Sequence, residues 1–153
     1  MKHLVILGGG FAGLWAAMSA AGERRDAAAT THDTSVGEGE SLRITLVSRE
    51  EHLVIRPRLY EGAGEDKRVL LRPLLERIGV DFVLASVEGI DPEAKVVTLD
   101  QARMPYDTVI LATGSQLRQL LVPGVERYSF SADSYTDAQA LDRQLEAISG
   151  ESD

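Results

Sequence analysis

The chain has 153 residues, 44% of them hydrophobic, with 16 basic and 24 acidic side chains and a formal net charge of −8. This length suffices for one domain with its own core, and dispersed acids exclude a general nucleic-acid binder, which needs basic patches against phosphate. With no cysteine, these residues form no disulfide, thiolate metal site or redox dithiol, and His3, His32 and His52 are too scattered for a metal-ligand pattern.

Residues 4–22 carry no charge, which raises a signal peptide or membrane helix as one reading. Gly8, Gly9, Gly10 and Gly13 interrupt the run, and glycines disfavour a continuous helix. A strand at 4–7, a glycine turn and a helix account for every residue, and a cytoplasmic location is the expectation. Phe11, Leu14, Trp15 and Met18 recur at helical spacing and predict a helix to residue 25 or 28, with this face packed on a sheet. Residues 29–41 are polar and turn-rich and are predicted as an exposed, mobile loop. LRITLV at 42–47 is the next strand and completes a βαβ unit.

Residues 49–66 contain Pro57, Gly62 and Gly64 and are predicted to be largely irregular. Leu71, Leu74, Leu75 and Ile78 repeat the helical face, with Pro73 early and Gly79 as a stop. Short strands follow at 80–84, 87–90 and 96–99, with Asp91-Pro92-Glu93 turning between the last two. A further strand at 106–112 runs into Thr113-Gly114, and Thr136 with Gln139 predicts a capping box for a helix at 137–148. The expected fold is α/β: a Rossmann-like domain with a central parallel sheet, covering helices and a small β-meander. It is expected to occupy residues 1–115, with 116–153 as a connector and helix.

VILGGGFAG at 5–13 places Gly8, Gly10 and Gly13 at G-x-G-x-x-G spacing after a strand and before a helix. In that context Gly8 permits the tight turn, Gly10 lets a pyrophosphate approach the backbone, and Gly13 lets helix and strand lie close. The first-turn amides around Phe11 and Ala12 face the anion, aided by the helix dipole. The alternative is a merely structural turn. The second strand departs from the usual pattern: Ser48 stands where an acid commonly binds the ribose, followed by Arg49, Glu50 and Glu51. A small polar residue with Arg suits a 2′-phosphate and so NADP. Glu50 is an alternative ribose partner, and solvated loop charges are the remaining reading.

With HLVIRPRLYE at 52–61, PYDTVILATGS at 105–115 and Val122-Pro123-Gly124, the chain resembles the N-terminal part of the FAD/NAD(P)-dependent pyridine nucleotide oxidoreductases, closest to the type II NADH:quinone oxidoreductases. The resemblance implies FAD as cofactor and NAD(P)H as co-substrate. Gly8, Gly10, Phe11, Ala12 and Gly13 would hold the pyrophosphate, Ser48 and Arg49 would lie near the adenosine, and Val87 would meet adenine through its backbone. Ala112, Thr113 and Gly114 would close over the cofactor, while Arg56 and Pro57 would approach the flavin. A surface role for Arg56 stays open, and Tyr60 reads as core packing more readily than as a neighbour of the ring. The resemblance asks for no acid–base residue and no metal. It implies electron transfer to a quinone or other diffusible acceptor, because the cysteine pairs of disulfide reductases and the cysteines of sulfide-oxidising relatives have no counterpart among these residues. It further implies that the chain is one part of a longer enzyme, inactive without its other domains, and that any peripheral contact with the inner face of a membrane runs through regions outside these residues. The alternatives are an NADP(H)-binding Rossmann domain and a non-catalytic nucleotide-binding or interaction module.

Overall fold

The structure, a computed structural model, describes residues 1–30, 41–115 and 122–150. The loop predicted over 29–41 lies almost wholly outside them, as do residues 116–121 of the connector. The elements are β1 (Lys2–Leu7), α1 (Phe11–Thr30), β2 (Leu42–Ser48), β3 (His52–Val54), β4 (Arg68–Leu70), α2 (Leu71–Arg77), β5 (Asp81–Leu84), β6 (Val87–Asp91), β7 (Val96–Leu99), β8 (Arg103–Pro105), β9 (Thr108–Leu111), α3 (Val125–Tyr128) and α4 (Tyr135–Gly150). They fall into two units, residues 1–53 with 70–114 and residues 54–69 with 115–153. Residues 54–69, which the linear division places in the first domain, thus gather with the C-terminal segment.

The first unit is Rossmann-like. Its sheet runs β5-β2-β1-β9 with every pairing parallel. Alternation along β1 sorts the core into two layers. Leu4 and Ile6 join Ile44, Leu46, Ala17, Ala21, Leu71 and Leu75 beneath the helices. Val5 and Leu7 join Val47, Val97 and Leu99 on the opposite face, under the antiparallel meander β6-β7-β8. The outer strand β9 leaves Leu111 66% exposed.

The contact face of α1 differs from the one predicted. Ala17 and Ala21 are fully buried, while Phe11, Trp15 and Met18 point outward, Trp15 at 63% exposure. The cause is Gly13: a Cβ there would overlap the Gly8 carbonyl oxygen, so backbone contact fixes which side meets the sheet. Residues 13, 17 and 21 share that side, and a residue two positions from Gly13 is turned by about 200°. Leu14 alone of the predicted face packs against the core. Arg24, further along α1, donates to the Ile78 and Gly79 carbonyl oxygens at 2.9 Å and so satisfies the C-terminal end of α2.

The second unit is built differently. Residues 54–69 are more regular than the sequence suggests, with 3-10 turns at Arg56–Glu61 and Glu65–Lys67. Leu59 is buried, whereas Tyr60, read as core packing, is 79% exposed. Arg58 and Lys67 each contact both Glu61 and Asp66, closing an alternating ring of four charges at 2.6–3.2 Å. Hydrogen bonds from Arg58 hold Glu61 below the ordinary carboxylate range, and those from Lys67 do the same for Asp66. Helix α4 starts earlier than predicted. Its cap is Ser134, whose hydroxyl oxygen accepts the Asp137 N–H at 3.1 Å, and Thr136 is already helical. No helix of the described residues is long and apolar enough to cross a membrane.

Candidate functional site

The candidate site lies at the carboxyl ends of β1, β2 and β9, where a parallel sheet presents its loops. Gly8 leaves β1 at φ +122°, in the region that favours glycine. Its N–H donates to the Val47 carbonyl at 2.8 Å, and a Cβ on it would overlap the Ala112 carbonyl oxygen. Gly8 and Gly13 are therefore required by close backbone approach. Gly10 is different, since a Cβ there would meet nothing within 4 Å. The mouth of the turn is open at that point.

The first amide bonded within α1 is that of Leu14, donating to Gly10 at 3.0 Å. The amides of Phe11, Ala12 and Gly13 precede it and are donors that a helix leaves unmatched in its first turn. No acidic side chain occupies that turn. Open space, clustered N–H groups and the positive end of the dipole suit a diphosphate, so the residues fit a dinucleotide.

Ser48 ends β2 and is 7% exposed. Its carbonyl accepts the Ala85 N–H at 2.9 Å, which ties the entry of the meander to the end of β2. Val87 opens β6 two residues later, half-buried against the layer formed by Val5 and Leu7. The Ala112 N–H donates to the Leu7 carbonyl at 2.8 Å, so β9 delivers Ala112, Thr113 and Gly114 beside the glycine turn. Thr113 and Gly114 are exposed, and Gly114 takes φ +71°. The structure thus gathers Gly8, Gly10, Phe11, Ala12, Gly13, Ser48 and Ala112–Gly114 at one end of the sheet, with exposed Arg49 next in the chain and Val87 entering from β5.

Arg56 and Pro57 belong to the second unit. The Arg56 guanidinium is paired with the Asp133 carboxylate, and it donates from Nε to the Asp133 carbonyl at 2.9 Å and from Nη1 to the Ser115 carbonyl at 3.4 Å. Its charge is therefore largely matched within that unit. The sequence reading missed Asp133, which lies 77 positions away with no local signal. It also missed Gly9, although three successive glycines flagged it. A Cβ on Gly9 would come within 2.5 Å of the Ser48 hydroxyl and 2.6 Å of Leu71.

A family model described as pyridine nucleotide-disulphide oxidoreductase matches residues 2–149. An NADH dehydrogenase-like protein of Mycobacterium tuberculosis is 34% identical over 151 residues, 98% of this chain and 36% of that protein. A type II NADH:quinone oxidoreductase of Staphylococcus aureus is 26% identical over 150 residues, 95% of this chain and 34% of that protein. The crystal structure of the sulfide:quinone oxidoreductase of Aquifex aeolicus superposes with a TM-score of 0.78 at 27% identity, over 99% of this chain and 33% of that one. The chain spans about a third of the length of these relatives. With the Rossmann-like sheet, the open glycine turn and a match over nearly all its residues, the chain belongs to the pyridine nucleotide-disulphide oxidoreductase family.

Proposed function

We propose that this chain is the FAD-binding part of an NAD(P)H-dependent flavoprotein oxidoreductase that passes electrons to a quinone or another diffusible acceptor. The observation that carries this reading is the glycine turn, closed by backbone contact at Gly8 and Gly13 and open at Gly10. The names of the relatives support the quinone, and the absence of cysteine from these residues supports an acceptor that needs no thiol relay. FAD, when bound, supplies two-electron acceptance from NAD(P)H and delivery to the acceptor.

The chain's own residues bind and orient. Phe11, Ala12 and Gly13 direct N–H groups at the diphosphate, while Gly10 leaves it room. Ser48 and Arg49 border the adenosine ribose, and Val87 offers backbone to the adenine. Ala112, Thr113 and Gly114 cover the cofactor where the chain leaves β9. Arg56 and Pro57 approach the flavin, with Asp133 moderating the charge that Arg56 presents. In this reading nicotinamide binding and turnover require the remaining domains of a longer enzyme, whose contact with a membrane surface would be peripheral.

Titration of the purified chain with FAD tests the reading. Saturable binding is expected, and Gly10→Glu abolishes it while leaving the thermal unfolding curve in place. No FAD binding overturns the cofactor assignment, and steady NADH oxidation by this chain alone overturns the division of labour. Ser48 followed by Arg49 favours a second reading, an NADP(H)-binding domain. Binding of NADPH in place of FAD would select it.

A further inference from the structure

The end of β2 carries a consequence for ligand choice. In dinucleotide-binding βαβ units the residue at this position reads the adenosine ribose, and a carboxylate there accepts from the 2′-hydroxyl and repels a 2′-phosphate. Here the last β1–β2 pair is Leu7 with Val47, so Ser48 is the next residue and lies against the glycine turn. Its side chain is neutral and nearly buried. Its hydroxyl oxygen accepts the Glu50 N–H at 3.1 Å, and its carbonyl accepts the Ala85 N–H at 2.9 Å. What remains for a ligand is the hydroxyl proton, a donor with no negative charge. The exposed cation Arg49 follows directly. Of the neighbouring acids, Glu51 has its carboxylate 3.4 Å from His52 Nδ1, and Glu50 is held by its backbone in the turn that Ser48 closes.

We infer that the adenosine end of this site accepts a ribose bearing a 2′-phosphate as readily as one bearing a 2′-hydroxyl, and that Ser48 with Arg49 sets this tolerance. The inference rests on the reading of the glycine turn as a diphosphate site. The ligand class is then adenosine diphosphates irrespective of 2′-phosphorylation. Free 2′-phosphorylated nucleotides compete with FAD for the turn.

Isothermal titration of the whole chain with ADP-ribose and with 2′-phospho-ADP-ribose, at one ionic strength, tests this. The two dissociation constants are expected to agree within about threefold. Ser48→Asp should weaken the phosphorylated ligand alone, by about tenfold or more, through like-charge repulsion. Because that variant alters packing against Gly9, Arg49→Ala on the exposed surface is the second probe. It should weaken the phosphorylated ligand alone by about three- to tenfold. If the unaltered chain binds ADP-ribose but rejects its 2′-phosphate by more than about tenfold, the tolerance is refuted while the diphosphate site stands. If both bind equally and neither substitution changes their ratio, Ser48 and Arg49 do not set it. If neither ligand binds, the diphosphate reading fails and this inference with it.

Discussion

The two units of the chain are held together by different physics. In the first, nonpolar side chains fill both faces of a parallel sheet, with Val5, Ile6, Leu7, Leu46 and Val47 wholly buried. In the second, the buried nonpolar side chains among the described residues are Leu59 and Ala138. Its cohesion comes from polar ties: the ring of Arg58, Glu61, Asp66 and Lys67, the pair Arg56–Asp133, the Ala63 N–H held by Asp142 at 2.7 Å, and Arg68 over the Tyr135 ring. Burial of nonpolar surface is insensitive to salt and mild acid, whereas exposed ion pairs weaken in both. The difference teaches that the cradle for a cofactor can be rigid while the segment carrying Arg56 and Pro57 answers to solution conditions.

The sharpest way to break the comparison is to disturb backbone contact in the first unit. Gly13→Ala forces a Cβ into the Gly8 carbonyl and should cost about 3 kcal/mol, read from thermal unfolding followed by Trp15 fluorescence. Gly10→Ala, in open space, should stay within about 0.5 kcal/mol of the parent.

The acid response of the second unit comes next. Glu61 and Asp66 are depressed by their hydrogen bonds to Arg58 and Lys67, so their stabilisation is complete above the ordinary carboxylate values and fades as pH falls through the depressed ones. Hydrogen exchange in peptides covering 54–69, corrected for intrinsic rate, should therefore accelerate below about pH 4, with β1 and β2 still protected. Loss of protection in both units together would erase the distinction. On the alkaline side the raised Lys67 keeps the ring closed through the ordinary lysine range and opens it only beyond.

Two smaller substitutions sharpen the contrast locally. Arg24→Met removes the donors from the end of α2 and should cost about 1.5 kcal/mol in the first unit. Ser134→Ala removes the cap of α4 and should cost about 1 kcal/mol, visible as faster exchange in its first turn.

Much of the first unit was legible in the sequence because its signals are local. The predicted strand at 96–99 coincides with β7, and the apolar runs at 4–7 and 42–47 became the two innermost strands. Glycine spacing marked the turn for the same reason. The buried side of α1 was not legible: Phe11, Trp15 and Met18 have the right period, and only contact between Gly13 and Gly8 decides which side faces inward. Residues 54–69 were misjudged because their order comes from charges that pair across a short loop, which periodicity does not register. Arg56 could be named as a candidate, but its partner Asp133 is fixed by the folded path of the chain.

The strand β9 borders the sheet with Leu111 uncovered. Such a border is a template on which another polypeptide can hydrogen-bond. At neutral pH the charge of −8 makes two copies repel. As acid neutralises the carboxylates that repulsion falls, so preparations of this chain should remain monodisperse near neutrality and associate border to border in mild acid.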